Sequence, residues 1–466
     1  MSKDQQQFTV PDAVQVVDGP GCEQFSYSRL ILALVGVPIV VARLLGGGLW
    51  ITSGLVCALF VPALVLFWTI TSRVPIDREG LDADKQPIEN YLDFKLDCDR
   101  ERYRGDQKIP MTQFTEKYFD KMVDFKMDCH EALERRYDWA TFAFTPELFK
   151  FFLFKMVPDV LLHTKSRDRK QTHEVYDRGN DFYHFSLGDS MTFSSGIISD
   201  PHRAESIEEM QRNKMTVVCQ KLGLCEGETV LDMGCGWGTF STFASVEHKA
   251  RVTGVTLSHN GASAASERLE KHGISSDQSQ IHCIDYRDIP TSPRFDKIVC
   301  LEMAEHVGIR KLPAFLKQMY NLLEDQGVFF LQIGGLRKRW QFEDLVWGLF
   351  MNKYIFPGAD ASVPLGMYIS LVENAGFEVK SVDTIGIHYA ATIWRWYDIW
   401  KGNEAEVTAK YGARWYRIWL YFLSSATIQA RNGGATAYQI TLVKSRNRTE
   451  RVLGVKNQLG VRTNQA

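Results

Sequence analysis

The stretch Val230-Leu231-Asp232-Met233-Gly234-Cys235-Gly236-Trp237-Gly238 decides the fold of this chain. A short apolar strand, Thr229 to Leu231, runs into a loop with glycine at every second position, and Thr239 to Ala244 then opens a helix. Glycine is required where the backbone takes unusual φ/ψ values and where a ligand lies directly against it. A strand, a glycine loop and a helix in that order build a nucleotide-type site at the carboxyl edge of a parallel sheet. The spacing is G-x-G-x-G, not the G-x-G-x-x-G that suits a dinucleotide pyrophosphate. The next strand, Arg251 to Val255, ends in Thr256-Leu257-Ser258, with no acidic residue for a nicotinamide ribose. The loop therefore reads as a pocket for S-adenosylmethionine (SAM), with a tight structural turn as the plainer alternative.

Outward from the loop, candidate strands fall at 228–231, 251–255, 280–284, 296–301, 327–333, 377–383 and 436–443. Helical patterns separate them, as a doubly wound α/β sheet requires. This domain covers 171–445, and the polar, basic stretch 446–466 reads as a disordered tail.

The N-terminal part has a different character. Residues 1–28 are polar and turn-rich. Residues 29–72 hold two apolar blocks, Leu30 to Ala42 and Leu44 to Ser72, separated by Arg43. The second exceeds the ~20 residues that span a bilayer, and Arg43 can snorkel to the headgroups. Gly46-Gly47-Gly48 supplies a turn, so the pattern predicts a transmembrane helical hairpin. A cleaved signal peptide fits poorly, since the apolar block starts late and lacks an early basic region. Both ends of a hairpin emerge on one side, and a domain that uses SAM must meet the cytosol.

Residues 73–170 read as a mostly helical connecting region. Two hexads echo each other there, Asp93 to Cys98 and Asp124 to Cys129, and coincidence is the simpler reading. The Phe-rich segment 142–162 fits either the membrane interface or packing on the catalytic domain.

The formal charge is −2, from 54 basic and 56 acidic residues, which argues against a general nucleic-acid binder. Nine cysteines are scattered without a C-x-x-C pair. That points to neither a zinc site nor a disulfide framework, and fits a reducing compartment.

Two further stretches follow strands. Asp285-Tyr286-Arg287-Asp288 follows the third, where Asp285 suits an adenine amino contact and Tyr286 suits stacking on the ring. Glu302-Met303-Ala304-Glu305-His306-Val307-Gly308 follows the fourth, where the substrate end of the cofactor should lie. An isolated Glu-His is usually a helix cap or a surface pair, but its position here favours a functional reading.

Together with Tyr176 to Tyr183, Met191-Thr192-Phe193-Ser194 and Asn352 to Gly358, these stretches resemble the cyclopropane-fatty-acid synthase and mycolic-acid methyltransferase family, across roughly 171–443. The resemblance implies a Rossmann-like SAM-dependent methyltransferase fold that methylates an alkene in a lipid chain. It carries the cofactor contacts onto Phe193, Ser194, Val230, Leu231, Asp232, Met233, Gly234, Cys235, Gly236, Trp237, Gly238, Thr256, Leu257, Ser258, His259, Asn260, Gly261, Asp285, Tyr286 and Arg287. Phe193 stands where the family has tyrosine, and Gly261 where it often has glutamine.

Cyclopropane synthases hold a bicarbonate ion through a cysteine, a glutamate, a histidine and a tyrosine. The resemblance places Ser195, Glu305, Gln332 and Tyr397 at those positions and makes them the candidate catalytic set. Only the glutamate and tyrosine are retained, which leaves the part of bicarbonate open and favours methyl branching over ring closure. Trp394, Trp396, Tyr397 and Trp400 are candidates for steadying a cation through their faces, or for plain packing.

The hairpin, Phe329 to Ile333 and Asn352 to Ala361 further resemble the fungal-type sphingolipid C9-methyltransferases. This implies ceramide or glucosylceramide as the lipid, and an endomembrane such as the endoplasmic reticulum, with the catalytic domain on the cytosolic side. An unsaturated phospholipid acyl chain is the alternative substrate.

Overall fold

All seven candidate strands form, and they pair into one sheet. They are β1 (Thr229–Met233), β2 (Arg251–Thr256), β3 (Gln280–Cys283), β4 (Phe295–Leu301), β5 (Leu323–Leu336), β6 (Phe377–Thr384) and β7 (Ala435–Lys444). The order across the sheet is β6-β7-β5-β4-β1-β2-β3. Strands β3, β2, β1, β4 and β5 run parallel, while β7 is antiparallel to both of its neighbours.

The central strands read as continuous apolar runs because helices cover both faces. Alternate residues point to opposite faces. Leu231, Ile298 and Phe329 enter one buried cluster, and Val230, Val299 and Phe330 enter the other. Around the sheet lie α1 (Ile207–Leu222), α2 (Thr239–Glu247), α3 (His259–Lys271), α4 (Leu312–Leu322), α5 (Leu365–Asn374), α6 (Gly386–Gly402) and α7 (Ala413–Arg431). Helix α1 has sharp ends: Ser206 and Glu209 form a reciprocal capping box, and Gly223 closes it in the left-handed conformation.

The computed structural model describes residues 10–13, 26–74, 85–156, 158, 165–359 and 361–446. The chain divides into two units, one of Met1–Asp12, Asp159–Lys338 and Tyr354–Ala466, the other of Ala13–Pro158 and Arg339–Lys353. The sequence carries the second domain unbroken from 171 to 445, yet 339–353 groups with the N-terminal unit. A buried ion pair is among the contacts that hold 339–353 within that unit. Arg136 Nε donates to Glu343 Oε1 at 2.6 Å, and the Tyr137 hydroxyl also donates to Glu343. Removing either charge would strand the other in a low-dielectric setting.

Within that N-terminal unit, helices Tyr27–Leu44 and Leu49–Thr71 have mean hydropathies of 1.8 and 2.3 and are long and apolar enough to cross a membrane. Gly46, at φ +68°, makes the turn between them. Trp68 packs against Phe144 at 4.8 Å and Phe149 at 5.7 Å, so the front of the Phe-rich segment leans on the second apolar helix. The rest of that segment, 159–162, lies outside the described residues, as do the tail from 447 onward and most of 1–25. The echoing hexads meet: Leu92–Phe94 and Val123–Phe125 pair antiparallel, and Lys95 bridges Asp93 at 2.6 Å and Asp124 at 3.1 Å.

Candidate active site

At the carboxyl end of β1, Gly234, Gly236 and Gly238 take φ values of +79°, +54° and +78°, a region that side chains disfavour. The Gly234 and Cys235 N–H groups both donate to the Val255 carbonyl, at 2.9 and 3.0 Å, folding the loop against β2. A Cβ on Gly238 would come within 2.7 Å of Ala265, so glycine there permits the close approach of α3. A Cβ on Gly236 would meet no protein atom within 4 Å, because that face of the loop opens onto a cavity.

Of the expected cofactor residues, Phe193, Ser194, Asp232, Met233, Gly234, Cys235, Gly236, Trp237, Thr256, Leu257, Ser258, Gly261, Tyr286 and Arg287 line this cavity; Val230, Leu231, Gly238, His259, Asn260 and Asp285 do not. Val230 and Leu231 are spent on the two core clusters. Asp285 is spent on Arg287, whose Nε and Nη2 meet its two oxygens at 2.7 and 2.6 Å. This bidentate clamp fixes Arg287, and Tyr286 and Arg287 face the cavity. The cradle fits SAM: backbone approaches from the glycine loop, and the Tyr286 ring lies across the same sheet edge.

The Tyr176-to-Tyr183 motif wraps the loop from outside. Asp177 accepts from the Ser258 hydroxyl at 2.6 Å, and that hydroxyl caps α3 by accepting from Gly261 N–H at 2.9 Å. Asn180 Oδ1 accepts the Trp237 indole N–H at 2.8 Å. These residues matched by resemblance, but only the fold supplies their partners.

Beyond the loop, at the carboxyl end of β4, lies a cluster of buried charge. Glu302, just beyond β4, holds φ at +58°, a strained conformation for a residue with a side chain, costing on the order of 1 kcal/mol. Its Oε1 accepts from Ser195 N–H at 2.9 Å and from Gln332 Nε2 at 2.7 Å. Glu305 Oε1 accepts from Gly334 N–H, while its Oε2 has no partner among the described residues. Burial, helped by the neighbouring Glu302 charge, pushes the Glu305 carboxyl up to about 8. That value keeps the Glu305 carboxyl mostly neutral at pH 7. Burial also raises Glu302, but the Gln332 and Ser195 donors and the Lys214 charge oppose the rise.

Two more ionisable groups belong here. Lys214 of α1 is fully buried, donates to Ser194 Oγ at 2.7 Å, and is lowered to about 7 by desolvation. Asp232 accepts from Ser241 Oγ at 2.7 Å and is raised to about 6 by burial. The sequence gives little warning of Lys214, because a lysine in an amphipathic helix reads as a solvated face.

Of the expected catalytic four, Ser195 and Gln332 meet, with Gln332 Nε2 donating to the Ser195 carbonyl at 3.3 Å and both residues serving Glu302, while Tyr397 stands apart. Ser195 donates its hydroxyl to the Gly196 carbonyl at 3.0 Å. Tyr397 is buried and stacked on Trp394, with ring centroids 5.1 Å apart, and does not line the cavity. Trp396 packs on Phe193 at 5.3 Å and Trp400 on Trp419 at 5.4 Å, so these aromatics serve as core. Eight residues before Tyr397 on α6, Tyr389 is held well above the usual tyrosine range by burial, then by the Glu302 and Glu305 charges, and cavity-lining Tyr176 is raised by burial and the same acids. The residues do not fit a bound bicarbonate. The Ser195 N–H and the Gln332 amide already serve the Glu302 carboxylate, and a second anion there would meet little screening.

Residues 163–440 match the family model described as mycolic acid cyclopropane synthetase. The chain is 53% identical over 454 residues to sphingolipid C9-methyltransferase A of Emericella nidulans, covering 97% of this chain and 88% of that one. It is 49% identical over 456 residues to the sphingolipid C9-methyltransferase of Candida albicans, covering 95% and 88%. Among solved structures, mycolic acid cyclopropane synthase CmaA1 complexed with SAH and CTAB has a TM-score of 0.56 at 24% identity, covering 61% of this chain and all of that one. The cyclopropane synthase MmaA2 from Mycobacterium tuberculosis has the same TM-score at 23% identity, covering 59% and 98%.

Proposed function

This chain belongs to the sphingolipid C9-methyltransferases, within the mycolic acid cyclopropane synthetase family, and on that premise we propose that it methylates carbon 9 of an unsaturated sphingoid base in ceramide or glucosylceramide. The observation that carries this reading is identity near 50% over nearly the whole chain to fungal enzymes of that name. The relatives named as fatty acid methyltransferases are about 30% identical or less, over shorter stretches.

SAM, when bound, supplies an electrophilic methyl group. The protein's own part is to hold and shield. The glycine loop, Tyr286 and Arg287 fix one end of the cavity, and Trp237, tied to Asn180, closes over the loop. The other end, with Glu302 and His306, meets the lipid alkene. Burial of this end keeps water from a carbocation that it would otherwise trap.

The apolar helices Tyr27–Leu44 and Leu49–Thr71 support membrane attachment. We place the hairpin in an endomembrane such as the endoplasmic reticulum, with the cavity on the cytosolic side, where SAM is made and a membrane lipid lies within reach. Mass spectrometry of lipids from a deletion strain tests the substrate. Ceramides should lose one methylene increment in the sphingoid base; loss from phospholipid acyl chains instead would overturn the reading.

A further inference from the structure

A chain of hydrogen bonds crosses the sheet to Glu302. Lys221 Nζ, paired with Asp383 at 2.8 Å, donates to Gln439 Oε1 at 2.7 Å. Gln439 Nε2 donates to Gln332 Oε1 at 2.9 Å, and Gln332 Nε2 donates to Glu302 Oε1 at 2.7 Å. An ammonium can only donate, so the atom of Gln439 that it meets must be oxygen. Each amide behind it is thereby turned, and the last presents N–H to Glu302. Ser195 N–H adds a second donor to the same oxygen. Two N–H donors on Oε1 favour the ionised carboxylate. Oε2 takes no hydrogen bond among the described residues, and the residue lines the cavity.

Resting on the methyltransferase reading above, we infer that Glu302 is the resident proton acceptor of the reaction, with Gln332, Gln439 and Lys221 as positioning residues. Once the alkene has taken the methyl group, the neighbouring carbon is cationic and the methylated carbon still carries its hydrogen. Glu302 Oε2 takes that hydrogen as a proton. The C–H electron pair closes the double bond again, and a methyl-branched alkene leaves with no external base consumed. Glu305, three residues on, has one N–H donor and an unpartnered oxygen. Burial raises both carboxyls, but only Glu302 has the Gln332 and Ser195 donors and the Lys214 charge to oppose the rise, so the two acids sit in different environments, as acid–base assignments require. The left-handed backbone at Glu302 also has a use here, since it aims a carboxylate where an extended residue would not.

The test uses the full chain in vesicles with SAM and two unsaturated lipids in parallel, a ceramide and a phospholipid, each deuterated at the alkene carbons. The wild-type protein identifies the lipid, and the variants are then read on whichever lipid accepts methyl, so failure of the substrate reading stays separate. Glu302→Gln should cut methylation by a factor of about 100 or more, with SAM affinity by calorimetry within about threefold. Glu302→Asp keeps a carboxyl but retracts it. It should slow turnover about tenfold and enlarge the deuterium isotope effect, because proton removal becomes the slow step. An isotope effect unchanged in Glu302→Asp, or Glu302→Gln turning over within about threefold of wild type, would overturn the assignment.

Discussion

The Trp237 indole N–H donates to Asn180 Oδ1 at 2.8 Å, joining the glycine loop to a motif 57 positions earlier in the chain. Asn180 is half-buried at the opening of a helix, behind Gly179. Its carbonyl fixes the indole so that the ring can line the SAM cavity instead of swinging over it. Asn180→Ala should leave the fold intact and weaken SAM binding by about tenfold, since orphaning a buried donor costs roughly 1–3 kcal/mol. Calorimetry checks this, and an unchanged SAM Kd would remove Asn180 from the cofactor account.

Glu305 makes a prediction whose sign depends on its environment. The carboxyl rises from an ordinary 4.5 to about 8 because it is buried beside Glu302. Below pH 4.5 it is protonated both folded and unfolded and contributes nothing. Between 4.5 and about 8 the unfolded chain releases a proton that the native state keeps, so stability falls as pH rises. Above 8 the penalty is complete and constant. Glu305→Gln copies the neutral form and can still accept from Gly334 N–H. It should therefore raise Tm at pH 8, match wild type near pH 4.5, and keep turnover within about fivefold at pH 7. A Tm difference that grows toward acid would contradict the sign.

How much of this was legible beforehand differs by level. The seven strands and the glycine loop are local: apolar runs of strand length, and glycines at a spacing that suits SAM better than a dinucleotide. The hairpin is local too. What sequence could not show is which buried charges face one another. Lys214 is 88 positions from Glu302, and nothing in a helical pattern says that a lysine points inward. Glu302 lies three residues before Glu305 in the same motif, but its left-handed backbone, which redirects its carboxylate, has no local signature. Tyr397 sits eight residues from Tyr389, and only the packing of α6 decides that Tyr397 stacks on Trp394 while Tyr389 feels the acids' charge. The contacts of 339–353 with the N-terminal unit include Glu343 meeting Arg136, across more than 200 positions.

The hairpin prediction follows from the exposed apolar surface of Tyr27–Leu44 and Leu49–Thr71. Side chains such as Leu44, Leu49 and Trp50 are almost fully exposed, and apolar area of that extent is not left in water. Full-length protein should resist alkaline carbonate extraction, and deleting 1–72 should shift most of it to the soluble fraction. Full-length protein released by carbonate alone would refute a membrane-spanning hairpin.

The most direct measurement is methyl transfer by the purified full chain in vesicles, using SAM labelled in its methyl group and a ceramide with an unsaturated sphingoid base. The account predicts label on carbon 9 of the base, the double bond retained, and no cyclopropane. Label found only in phospholipid acyl chains, or as a cyclopropane ring, would contradict it.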